Sequence, residues 1–444
     1  MFSWRRVTFP VEYIGRTGAS WSEREVVRIA IVGSGVAGLT TAHLLNAHHD
    51  VTLFEADSRL GGHAHTHEVE SNGEFYPVDT GFMVFNDRCY PLLTGLFREL
   101  GIESRPSDMS FSVADDVANV EWRSSNLATI FAQRRNLVRP SFWRMLVDIV
   151  RFNRAATALL ASGTVSDRTL QSFLAEGRYS SFFVDQYLIP MGAAIWSADP
   201  TTFSAFPAKA LFRFLDNHGL LSLANRPQWR TVVGGSVQYV DAIAVELGDA
   251  VRLTSRVTAV TRVDQGIDVT AAGVTANFDH VVLACHSDEA LALLTNATPA
   301  EREVLGAIAY QTNVATLHTD ASLMPRRERA RASWNYRRLP GARSATLTYD
   351  VSRLQGHESP ETFYVTLNQA DAIDPSLVVG TMHYAHPVFN EAAMAAQRRH
   401  GEISGVEGVS FAGAYWGYGF HEDGCRSGYV VAKALGAPVK ILVP

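Results

Sequence analysis

One stretch near the start of the chain constrains its fold more than any other: Val26-Val27-Arg28-Ile29-Ala30-Ile31-Val32 followed at once by Gly33-Ser34-Gly35-Val36-Ala37-Gly38. A β-branched run of this length reads as a buried parallel strand. The residues after it, LTTAHLLNA, have helical spacing, and Val51-Thr52-Leu53-Phe54-Glu55 reads as a second strand. In a β–turn–α–β unit of this kind Gly33 permits the tight turn, Gly35 lets a pyrophosphate approach the backbone, and Gly38 lets the helix pack on the strand. The pyrophosphate then meets unpaired amides at the positive end of a helix. Glu55, at the end of the second strand, suits the hydroxyls of an adenosine ribose and would repel a 2′-phosphate. The expectation is a dinucleotide site.

Composition narrows the class. Of 444 residues 47% are apolar and 19% charged, enough for substantial cores and too apolar for a disordered chain. The net charge of −6 gives no nucleic-acid bias. Cys89, Cys285 and Cys425 are odd in number and widely spaced, which suggests neither a disulfide framework nor a thiolate metal site. With no secretory signal and no long apolar run, the expected location is cytoplasmic. The segment 134–154 is basic and aromatic, so it could lie on an anionic membrane surface; an ordinary helix with solvated arginines is the plainer reading.

The residues after Glu55 separate FAD from NAD. Arg59-Leu60-Gly61-Gly62-His63 resembles the extended fingerprint of glutathione-reductase-like FAD proteins, and Asp79-Thr80-Gly81-Phe82 is the next glycine-centred turn. DTGFMVFN (79–86), SDMSFSV (107–113), IPMGAAIWS (189–197), VVGGSVQYV (232–240), FDHVVLACHSDEALALL (278–294), LHTD (317–320), SWNY (333–336) and GYGFHEDG (417–424) occur in this order. The set resembles the flavin amine oxidase superfamily, and within it the FAD-dependent oxidoreductases associated with cyclopropane-fatty-acid synthases, over about residues 28–436. The resemblance implies non-covalent FAD. Glu55 would hold the adenosine ribose; Ser34, Arg59 and the amides near Gly35 would hold the pyrophosphate. Val257 would contact adenine through its backbone, and Thr80, Gly81, Phe82 and the 416–427 segment would border the isoalloxazine. Ala37, Ala56, Gly413, Phe420, Glu422, Asp423 and Ser427 complete the expected cofactor set. Two positions depart from the pattern. Ala414 stands where many members carry an acid for the ribityl chain, and TYDVSRL (348–354) lacks an expected asparagine.

The fold implied is a glutathione-reductase-like Rossmann domain interleaved with a substrate domain, a helical insert plus a mixed β-sheet. Residues 1–26 form an extension. Residues 27–90, 227–290 and 405–444 form the FAD domain, and 91–226 and 291–404 the substrate domain, with 91–225 expected to be mostly helical. A flavin takes up the hydride itself, so the protein must mainly hold the substrate carbon and exclude water. Tyr187, Tyr310, Trp416, His421 and Glu68 are the candidates for catalysis, with Trp196, Tyr418 and Phe420 as further aromatic wall; packing is the plainer role for each aromatic. His63, His65 and His67 alternate as strand metal ligands can, but His63 falls inside the flavin fingerprint and no fourth ligand is evident, so no metal is expected. The chain has only three lysines, Lys209, Lys433 and Lys440, and none lies in 305–320, where amine oxidases of this type carry one near the flavin. The leading expectation is hydride transfer with an apolar, acyl-chain substrate, as desaturase or reductase. Oxidation of an amine or amide C–N bond to an imine is the alternative, and a flavin-less binding protein the third. The electron acceptor is open, oxygen included.

Overall fold

The computed structural model describes residues 26–162, 168–196, 207–222, 226–339 and 346–438. The expected N-terminal arm and Lys440 lie outside the described residues, as does the side chain of Trp196. The described residues divide into two compact units, those within 26–62, 240–309 and 391–438 forming the first and those within 63–239 and 310–390 the second.

The first unit is built on a five-stranded parallel sheet, in the order Val409–Phe411, His280–Leu283, Arg28–Val32, Asp50–Phe54, Val251–Arg252. Ile29, Ala30 and Ile31 are wholly buried, as the continuous apolar run requires of a central strand. An antiparallel sheet, Val257–Arg262, Ile267–Ala271 and Val274–Phe278, belongs to the same unit. The helix His421–Ala434 belongs to the same unit.

The second unit holds a seven-stranded sheet, in the order Val378–Pro387, Tyr310–His318, Tyr364–Leu367, Thr346–Asp350, Trp334–Arg338, Phe111–Asp115, Val120–Arg123. Two of these strands correct the helical reading of 91–225. Phe111–Asp115 and Val120–Arg123 form a hairpin whose turn is set by Asp115, which accepts from the amides of Val117 and Ala118, and by Asn119 in the left-handed region at φ 51°. Helices do dominate the rest, with Pro140–Ala161 the longest. The expected domain boundaries also shift. The hairpin Thr66–Ser71/Glu74–Asp79 belongs with the second unit, because Val69 and Val78 enter its apolar core with Leu317, Val351 and Phe363.

Candidate functional site

In the first unit the strand Arg28–Val32 ends at Gly33, whose φ of 102° only glycine adopts readily. A Cβ on Gly38 would lie 1.9 Å from the Gly33 carbonyl oxygen, so the helix Val36–Asn46 seats on the strand only with glycine there. Gly35 differs from both: a Cβ added to it meets nothing within 4 Å. The helix has no side-chain cap and no acid in its first turn. Its first amides therefore open toward clear space, as an anion requires. The Glu55 carboxylate accepts from the Ser34 amide at 3.0 Å, from the Ser34 hydroxyl, and from the Asp57 amide at 2.9 Å. Arg59 donates to the carbonyls of Leu60 and Gly62, and the Gly61 amide to the Ser34 carbonyl. Ser34 and Arg59 thus brace the cradle as well as facing it.

A second helix start converges on the first. On His421–Ala434, a Cβ at Gly424 would lie 2.6 Å from a Val36 methyl, and one at Gly428 would lie 2.7 Å from the Ala37 carbonyl oxygen. Gly424 and Gly428, four residues apart, let the two backbones touch where both helices begin. The turn before this helix is held by Asp423, which accepts from the amides of Tyr418 and Phe420 and from Arg426. Ser427 accepts from the Gly413 amide at 2.8 Å. Asp423 and Ser427, expected at the cofactor, shape the turn before the helix. Glu422 is buried, with Arg426 3.6 Å away. Val257 is buried in its strand beside a bulge.

In the second unit Thr80-Gly81-Phe82 is pinned from both sides. The amides of Thr80 and Phe82 donate to the carbonyls of His65 and His63, and a Cβ on Gly81 would strike the latter at 2.2 Å. The preceding residue, Asp79, is 1% exposed. Its carboxyl accepts from the Thr66 hydroxyl at 2.6 Å, the Ser236 amide at 3.0 Å, the Ser236 hydroxyl at 2.7 Å and Gln355 Nε2 at 2.9 Å. Burial pushes this carboxyl up to about 6, against the pull of the Thr66 and Ser236 donors. Tyr384 contributes its hydroxyl, 2.7 Å from Thr80 Oγ1 and 3.1 Å from His65 Nδ1. Sequence reasoning missed Asp79, Ser236, Gln355 and Tyr384.

Residues 36–436 match the family described as flavin containing amine oxidoreductase. The chain belongs to that family. The family is one of flavin-dependent oxidoreductases, and FAD is the cofactor that membership implies. A Mycobacterium tuberculosis protein that carries the name flavin-containing monoamine oxidase AofH is 28% identical over 274 residues, 58% of this chain and 56% of that protein. The chain thus spans about half the length of the curated relatives it matches first. Two solved structures share the fold across 93% of this chain and 99% of theirs. They are cyclohexylamine oxidase from Brevibacterium oxydans (18% identity, TM-score 0.67) and a conjugated-linoleic-acid-producing fatty acid isomerase from P. acnes (16% identity, TM-score 0.67). The family architecture is therefore that of the flavin amine oxidases.

The residues present fit FAD. The open space over Gly35, the uncapped helix start and the oriented Glu55 carboxylate form a cradle for a diphosphate and a ribose.

The candidates for catalysis divide between the two units, Trp416 and His421 in the first and Glu68, Tyr187 and Tyr310 in the second. Tyr187 is a core residue: its ring stacks between Trp122 and Phe183, and burial pushes its phenol up to about 12. Glu68 is exposed on its strand. Tyr310 opens the strand Tyr310–His318, half-buried. Trp416 packs 4.4 Å from His400 and 4.9 Å from Tyr415. His421 is the first residue of its helix, and burial pushes its imidazole down to about 3, so it stays neutral. The alternating histidines are taken up by ring contacts, His65 with His67 at 4.0 Å and His63 with Tyr384 at 5.0 Å. Cys425 is buried and its thiol pushed up, which disfavours the thiolate a covalent flavin link would need.

Proposed function

We propose that the chain transfers a hydride between FAD and an uncharged substrate carbon, that of an acyl chain, acting as desaturase or reductase. The observation that carries this reading is the state of the acids in the flavin segments. Asp79 is enclosed by Thr66, Ser236 and Gln355, Asp423 is held by its own turn and Arg426, and Glu68 is exposed. Asp79 and Asp423 are thus spent within the fold, and Glu68 lies at the surface, so none of the three offers a buried, unpaired carboxylate to a substrate ammonium. FAD, when bound, supplies the hydride chemistry. The protein's part is to hold and orient. The Gly35 amides and Glu55 would hold the diphosphate and ribose. In the second unit the Thr80–Phe82 turn is held beside Asp79 and by Tyr384. The neutral His421 would offer a hydrogen-bonding edge without adding charge. Oxidation of a C–N bond is the second reading, favoured by the relatives whose names say amine oxidase.

Anaerobic mixing of the FAD-loaded protein with acyl lipids and with amines separates the two. Bleaching of the oxidised flavin by saturated acyl substrates, or recolouring of the reduced flavin by unsaturated ones, is the expected result. Bleaching by amines alone would overturn the acyl reading.

A further inference from the structure

One surface of the second unit belongs to none of the flavin segments. Between Ser124 and Ser162 the chain carries six arginines and a single acid, Asp148. Asp148 is buried and serves Arg144 and Arg151, while Arg139 is tied to the carbonyls of Ala118 and Asn119. Arg134, Arg135 and Arg154 are exposed and make no ion pair among the described residues. Large apolar side chains are exposed beside them. Leu127, Val138 and Val147 are 75, 84 and 54% exposed, Leu137 and Trp143 49 and 48%. They are contiguous. Trp143 donates from its indole to the Leu137 carbonyl at 2.8 Å and lies 5.3 Å from the Phe131 ring, and Val147 follows it one helical turn on.

We infer that this face docks on an anionic lipid surface. Its charge decides the occupant. Three unpaired arginines with no exposed acid in the segment would repel a second copy of the same face, whereas anionic headgroups neutralise them. An exposed indole and aliphatic side chains flanked by arginine are the groups that settle at the boundary between headgroups and acyl chains. No helix among the described residues is long and apolar enough to cross a membrane, so the contact is peripheral. The inference stands apart from the acyl-substrate reading and would hold for a water-soluble substrate too.

The test is sedimentation of the full-length FAD-loaded protein with phosphatidylcholine vesicles and with vesicles containing about one-third phosphatidylglycerol. Binding to the anionic vesicles, weakened by salt, is expected. The double variant Arg134→Ser/Arg135→Ser should bind them about thirtyfold more weakly, from roughly fivefold per arginine. Val138→Asp should also weaken binding while leaving the flavin spectrum and the melting temperature unchanged, because Val138 is almost wholly exposed. No binding, equal binding to neutral vesicles, or a dimer in solution that Trp143→Ser dissociates would each overturn the inference.

Discussion

Replacing Asp79 with asparagine should remove a loss of stability that the protein otherwise suffers as pH rises from about 4 to about 6. Asp79 is fully buried, and its carboxyl is pushed up to about 6 from 3.8. Between those values the folded protein holds a proton that the unfolded chain has lost. Stability therefore falls as pH rises through the window, and the contribution present below about pH 4 is gone above about pH 6. At about 1.4 kcal/mol per unit the loss is roughly 3 kcal/mol, about half of it above pH 5. Asparagine keeps an acceptor for Thr66 and Ser236 and never ionises, but its amide nitrogen would face Gln355 Nε2, itself a donor, which adds a cost that does not vary with pH. The urea midpoints of the two apoproteins, tracked by far-ultraviolet circular dichroism at about pH 5 and about pH 7.5, check this. Asparagine should gain on aspartate by about 1.5 kcal/mol between the two conditions. A difference that does not change with pH would refute the reasoning, and so would an asparagine variant that loses ground as pH rises.

Three other outcomes rest on the same geometry. Gly35→Ala should leave apoprotein stability within about 0.5 kcal/mol, since its Cβ meets open space. It should nevertheless weaken FAD uptake, measured by fluorescence titration, because that space is where the diphosphate would lie. Gly428→Val should cost about 1–3 kcal/mol in thermal or urea unfolding, as its side chain meets the Ala37 carbonyl and Thr40. His421→Asn should leave the pH profile of anaerobic flavin reduction unchanged between about pH 5 and 8, because a residue already neutral has no proton to release there.

The part of the site that sequence revealed is the part built from neighbours in the chain. Gly33, Gly35 and Gly38 act through backbone geometry within one turn, so their spacing alone announces the cradle. The pair Gly424 and Gly428 carries no such signal, because its meaning, a close helix contact, needs the partner helix. The Asp79 clasp draws on Thr66, Ser236 and Gln355, as far as 276 positions away, and no local pattern links them. Tyr187 looked like a pocket aromatic because aromatics serve cores and pockets alike, and only the stack with Trp122 and Phe183 decided between them. The hairpin 111–123 was hidden by short strands inside a helical stretch, with Asp115 and Asn119 as its turn signal.

The proposed substrate carbon is uncharged and belongs to an acyl chain. A single anaerobic turnover with the FAD-loaded protein, with mass spectrometry of the product, checks this. An acyl product changed by two hydrogens, one equivalent per flavin reduced or reoxidised, is the expected result. An acyl chain returned unchanged, while an amine under the same conditions yields its imine or carbonyl and bleaches the flavin, would contradict it.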